Sequence, residues 1–207
     1  NINLDKLRVK TITITGTNGK WSTAATIRSI FEAAGYKVDL FTSPHVQSYT
    51  ERFVFESKEI SEKNLYNLLS EVGSKNSSKP ITVFELLTSA FFFYSALKSN
   101  SDLIIAENGL FQRYDSVSSI GHHLMKVVCQ IGLDHLDWLP ENKRSIDQII
   151  IEKTSNIMSS NIIVSKQNNT EILKKIQQNI EKNNAKKIIF AKDYSYEINK
   201  DGFLYED

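Results

Sequence analysis

A chain of 207 residues, 41% of them hydrophobic, can bury one substantial core and is short for two full domains. Lys and Arg total 25 against 24 Asp and Glu, a net charge of +1, so no bulk field draws the molecule to nucleic acid or an anionic membrane; any anion must be held locally. The single cysteine, Cys129, excludes a disulfide framework and, within the apolar run MKVVCQIGL, reads as a small buried hydrophobe suited to a reducing cytoplasm.

The first predicted element is a β-branched strand over 9–15, which turns through Gly16 and Gly19 into a helix over 20–34. A strand over 36–41 follows, then helices over 61–75 and 83–98 and strands over 102–106 and 126–131. A helix over 145–158, a strand over 162–164, a helix over 169–184 and a strand over 187–190 complete the alternation. The runs DLIIAE and KVVCQIGL are almost continuously apolar, as parallel strands covered on both faces must be. The stretch Val83–Leu97 is too short to span a bilayer and carries Glu85, so it reads as a core helix. No export signal is visible at the N-terminus. The segments SKNSSKP and KSNSD separate elements without the length of interdomain linkers, and DYSYEINKDGFLYED reads as strand, Asp-Gly turn, strand. Together these predict one α/β domain with a mostly parallel sheet and helices on both faces.

Where the first strand meets the helix, Gly16, Thr17, Asn18, Gly19 and Lys20 are expected to aim unpaired N–H groups and a helix dipole at one point, which suits a phosphate. Against the Walker pattern the first glycine would fall at Ile14, and Trp21 stands where Ser or Thr is usual, with Ser22 and Thr23 the nearest hydroxyls. Three readings of Trp21 stand open: it crowds the site where backbone and nucleotide approach closely, it packs sideways or stacks on a base, or it fills core space. Glu107, at the C-terminal end of a predicted parallel strand, faces the crevice where open α/β sheets bind ligands, and a hard cation is its natural partner.

The stretch GTNGKWST resembles the GTNGKGS loop of the folylpolyglutamate and dihydrofolate synthases, within the Mur ligase family, in which the hydroxyl also comes one residue late. Other motifs follow in the family's order. FTSPHVQSYTERF resembles its TSPH…ERI segment, which implies Ser43 as a Mg²⁺ ligand. TVFELLTSAFFF resembles its TxFE helix start, which implies that Thr82, Phe84 and Glu85 contact the pteroate, although a capping box accounts for Thr82 and Glu85 equally well. DLIIAENGLFQRYDSVSS resembles EVGLGGRLDATN, which implies Glu107 as a metal ligand and Asp115 at the pterin; Phe111 and Gln112 replace two glycines. VVCQIGLDHLDWL resembles ITSIGLDHTDLLG, which implies that His135 binds a second Mg²⁺. IDQIIIEKTSNI resembles IAxEKAGI, whose lysine reacts with CO₂, which implies a carbamate on Lys153; the alternative is a solvated lysine beside Glu152. His122 and His123 have no such counterpart.

The resemblance implies the P-loop α/β fold of the Mur ligase central domain, a cytoplasmic location, and ATP-dependent ligation of glutamate to dihydropteroate or a folate through an acyl phosphate. Lys20, His135 and Lys153 carry the catalytic roles; ATP and one or two Mg²⁺ ions are the cofactors. The partners are then these small molecules, with no nucleic acid and no membrane. On this reading residues 1–207 form a single, incomplete ATP-binding domain without the family's C-terminal ligase domain, and the polypeptide alone is expected to ligate little. The alternative is a degenerate, non-catalytic domain in which Trp21, Phe111 and Gln112 close the site.

Overall fold

In the computed structural model, which describes residues 4–155, 157–200 and 202–207, the β-branched run Thr11–Thr15 is strand β1, buried at every position. It lies inside an eight-stranded sheet of order β4-β3-β2-β5-β1-β6-β7-β8. The other strands are β2 (Val38–Phe41), β3 (Phe53–Phe55), β4 (Lys58–Glu59), β5 (Leu103–Glu107), β6 (His123–Val128), β7 (Ser159–Val164) and β8 (Lys186–Ile189). β3 and β4 form an antiparallel edge, and the remaining strands run parallel.

Alternation along β5 explains why its sequence is apolar throughout. Ile104 and Ala106 join the core that includes Leu7, Phe41 and Phe91, under α1 (Leu4–Arg8), α3 (Glu62–Lys75) and α4 (Val83–Leu97), while Leu103 and Ile105 join Ala24 of α2 (Lys20–Ala33) on the opposite face. A third cluster packs Ile149 and Ile150 of α5 (Ile146–Thr154) and Ile176 and Ile180 of α6 (Thr170–Ile180) on β6 and β7. Ser61, Thr82, Ser145 and Asn169 cap four of these helices through their side-chain oxygens.

Several boundaries differ from the sequence expectations. β6 ends at Val128 rather than 131, because the chain beyond it turns to support the phosphate loop: the carbonyl of Gln130 accepts from Thr17 N and Asn18 N at 2.8 and 3.2 Å. α5 ends at Thr154 rather than 158, and Asn156 lies outside the described residues. α1, β3 and β4 were not foreseen; at two to five residues each they are shorter than a readable period. β9 (Ser195–Asn199) and β10 (Gly202–Glu206) form the expected antiparallel hairpin, although Asp201 of its expected turn is outside the described residues. Among the described residues no helix is long and apolar enough to cross a membrane.

Candidate active site

The C-terminal ends of β1, β2 and β5, with the loop after β6, open onto one cleft of ≈ 690 Å³. Its lining includes Lys20, Ser43, Thr82, Phe84, Glu85, Asp115 and His135, residues that the sequence singles out from five separate segments, joined by Arg52, Phe111 and Trp138. Glu107 lies directly behind this wall. One of its oxygens is 3.9 Å from Lys20 Nζ and the other accepts from Ser43 N at 3.1 Å.

The phosphate loop owes its shape to two glycines. Gly16 has φ +143°, and a Cβ there would lie 2.8 Å from Cys129 Cβ; Gly19, at φ +82°, is the left-handed N-cap of α2. The loop differs from expectation in one respect: the Thr17 and Asn18 amides donate to Gln130 O, so the donors available to an anion are those of the first turn of α2. Thr17 Oγ1 is also fixed, donating to Gly132 O and accepting from Gly132 N, both at 3.1 Å. Lys20 Nζ folds back onto Gly16 O and Thr17 O at 3.1 and 3.4 Å. Ser22 is exposed, and Thr23 Oγ1 meets Cys129 Sγ at 3.3 Å. Trp21 is 61% exposed, which excludes core filling.

Burial pushes the Glu107 carboxyl up, opposed by the Ser43 N–H and by the Lys20 and Arg52 charges. Thr82 and Glu85 form the capping box of α4, with Thr82 N and Oγ1 donating to Glu85 Oε2 at 2.8 and 2.7 Å, and they line the cleft as well; the two readings of this pair are compatible. Asp115 accepts from Gly109 N and Val117 N at 2.8 and 2.9 Å. His135 sits beyond β6 in a left-handed conformation (φ +50°), edge-on to Phe111 with ring centroids 6.1 Å apart. Burial draws its imidazole below the ordinary value, with Lys153 and Lys20 acting in the same direction and Asp134 opposing.

Lys153 is not a solvated surface residue. Its side chain is fully buried, donating to Leu110 O at 2.7 Å, Asp134 Oδ2 at 3.1 Å and Gly16 O at 3.2 Å, and its ammonium lies 5.5 Å from the Phe111 ring centre. Burial lowers its pKa, which Asp134 counteracts. Asp134 and Arg52 escaped the sequence reading although both lie inside quoted motifs, GLDH and TERF. Arg52 Nε donates to His45 Nδ1 at 2.9 Å, which anchors it at the cleft. Among the described residues no three His, Cys, Asp or Glu side chains cluster as a self-sufficient metal site. The donor set here is mixed, a carboxylate beside a serine with a histidine across the cleft, which suits Mg²⁺ completed by phosphate oxygens and water.

Comparison with known proteins follows the same line. No family model matches the chain. The dihydrofolate synthase/folylpolyglutamate synthase of Escherichia coli (strain K12) is 38% identical over 135 residues, 65% of this chain and 31% of the relative. That of Bacillus subtilis (strain 168) is 32% identical over 185 residues, 86% of this chain and 42% of the relative. The solved structure of E. coli FolC in complex with DHPP and ADP superposes with TM-score 0.83 at 29% identity, covering 99% of this chain and 48% of FolC. The chain is homologous to the dihydrofolate/folylpolyglutamate synthases. It spans less than half the length of these curated relatives. A bifunctional synthase from Yersinia pestis, solved with AMPPNP and a Mn ion, gives the same TM-score of 0.83 at 25% identity, again over 99% of this chain and 48% of its own. The α/β architecture is therefore that of the folylpolyglutamate synthases over nearly the whole chain.

Proposed function

We propose that this chain forms the phosphate-binding side of an ATP-dependent ligase that joins L-glutamate to dihydropteroate or a folate through an acyl phosphate. The observation that carries this reading is the convergence of Lys20, Ser43, Asp115 and His135 on one cleft, with Glu107 paired to Lys20 behind it. Lys20 and the first-turn amides of α2 would neutralise the transferred phosphoryl group. Thr82, Phe84, Glu85 and Asp115 would orient the acceptor so that its carboxylate meets that group. Ser43, Glu107 and His135 would hold Mg²⁺, which supplies charge neutralisation at phosphate and carboxylate oxygens when bound. E. coli FolC was solved with ADP and the Yersinia synthase with AMPPNP and Mn, which supports nucleotide and divalent-metal binding here. Lys153, desolvated and adjacent to this group, is the proposed carbamate; the modified side chain would exchange its Asp134 contact for the metal. The cytoplasm and a single α/β unit complete the proposal.

The deciding experiment is calorimetric titration of Mg-ATP into the chain and its Lys20→Ala variant. We expect the variant to bind at least about tenfold more weakly; equal affinities would overturn the reading. Phe111, packed against Lys153 and His135 within the cleft, favours a second reading as a degenerate, non-catalytic domain. A Trp21→Gly variant separates the two: binding by that variant alone supports degeneracy, whereas the exposure of Trp21 predicts that both proteins bind alike.

A further inference from the structure

Behind the cleft wall lies a buried lysine that the proposed chemistry does not use. Lys126 stands on β6, in the middle of the sheet, and its side chain is fully buried. An ammonium there has left water for an apolar interior, a placement tolerated only with compensating partners. Its Nζ donates to Asn108 Oδ1. Asn108 is the residue after β5, 1% exposed, and its backbone N is fixed on Ile14 O at 2.9 Å. Its Nδ2 donates to Ser118 Oγ at 3.3 Å, and Ser118 N donates to Asp115 O at 2.9 Å. Ser118 Oγ in turn donates to Gln112 O at 3.1 Å.

This web ends on the cleft. The Asp115 carboxylate accepts from Gly109 N and Val117 N, closing the loop between β5 and the turn Ser116–Ile120. A Cβ on Gly109 would lie 3.0 Å from the Phe84 ring and 3.3 Å from Asp115 Oδ2, so carboxylate, loop and α4 are in contact. Ser116 Oγ ties the same loop to Thr88 Oγ1 at 2.9 Å. Burial pulls the Lys126 pKa down to about 7, and the Asp115 carboxyl opposes that shift. The other groups facing Lys126 are His123, which burial holds neutral with a pKa of about 4, and the Cys129 thiol, which burial pushes up. Neither competes for the role.

We infer that Lys126, acting through Asn108, is a positioning residue that fixes Asp115 and the Gly109–Ser116 wall for the acceptor substrate. The acceptor half of this inference rests on the proposed function; the positioning half does not. Two readouts keep them apart. In Lys126→Met, and in Asn108→Ala, which breaks the relay while keeping the lysine, hydrogen exchange at the Gly109 and Val117 amides should rise about tenfold with β1 and β5 unchanged. No change at those amides, or a uniform rise across the sheet, would overturn the inference. Calorimetric titration with dihydropteroate should then show about tenfold weaker binding by both variants, with Mg-ATP affinity unaltered. Unaltered dihydropteroate affinity would overturn the acceptor half; failure of the wild-type chain to bind dihydropteroate would overturn the proposed function and leave the exchange result to decide the positioning role. If Lys126→Met does not fold, Asn108→Ala carries both measurements.

Discussion

At Gly16 two constraints coincide, a positive φ and a Cβ position 2.8 Å from Cys129, whereas Gly19 has the positive φ but nothing within 4 Å. Substituting alanine at each separates strain from clash. Gly16→Ala should lose about 3 kcal/mol or more of stability, through strain plus overpacking, and Gly19→Ala only about 1 kcal/mol, as read by urea denaturation. His123 offers a second residue-scale test. Thr13 Oγ1 donates to its Nε2 at 2.7 Å, its Nδ1 donates to Gly121 O at 2.9 Å, and burial draws its pKa down to about 4. The unfolded chain, with His123 near its ordinary value of about 6.5, binds more protons between about pH 4 and 6.5, so stability is full above that window and falls as pH drops through it. A His123→Gln variant should flatten the denaturation midpoint between pH 4 and 6.5, to the extent of about 3 kcal/mol lost from the wild-type slope. Single residues also show what the sequence could not express. Lys20 and Glu107 are legible because a glycine turn and a strand end each fix a direction. Lys153 and Asp134 meet only through tertiary packing, and the local surroundings of Lys153, with Glu152 beside it, read equally well as solvent-exposed helix.

The long helices and the apolar strands are legible because each carries its own period: α4 buries Leu87, Ala90, Phe91 and Phe92 on a capped helix, and β5 is apolar on both faces. Boundaries failed where a neighbouring element set the end. β6 stops at Val128 because the following carbonyls are needed by the phosphate loop, a demand that arises from residues more than a hundred positions earlier in the chain and leaves no mark in KVVCQIGL. The same cause shifts the anion donors from the loop itself to the first turn of α2. The TSPH…ERF stretch shows the limit from the other side: its three-residue strand Phe53–Phe55 is held by pairing with β2 rather than by its own pattern.

Across the whole molecule, burial divides the chain unevenly. β1 and β5 are buried throughout, whereas every residue of β10 and most of β9 are exposed, with Ile198 and Phe203 among the open apolar side chains. Native-state hydrogen exchange should therefore be slowest in β1 and β5 and fastest in the hairpin, with the hairpin opening independently of global unfolding. In the sheet order β5 enters between β2 and β1, and β6, β7 and β8 add in turn beyond β1, which assembles motifs scattered over the sequence at one rim. The one sulfur atom close to that rim offers a further use. Cys129 is the only thiol in the chain, almost fully enclosed, with its Cβ filling the space beside Gly16 and its Sγ against Thr23. The thiol borders a cavity of ≈ 370 Å³ that it shares with Asn18, Gly19 and Thr23, so its rate of alkylation reports on the packing around the phosphate loop, and a nucleotide seated on that loop should slow it.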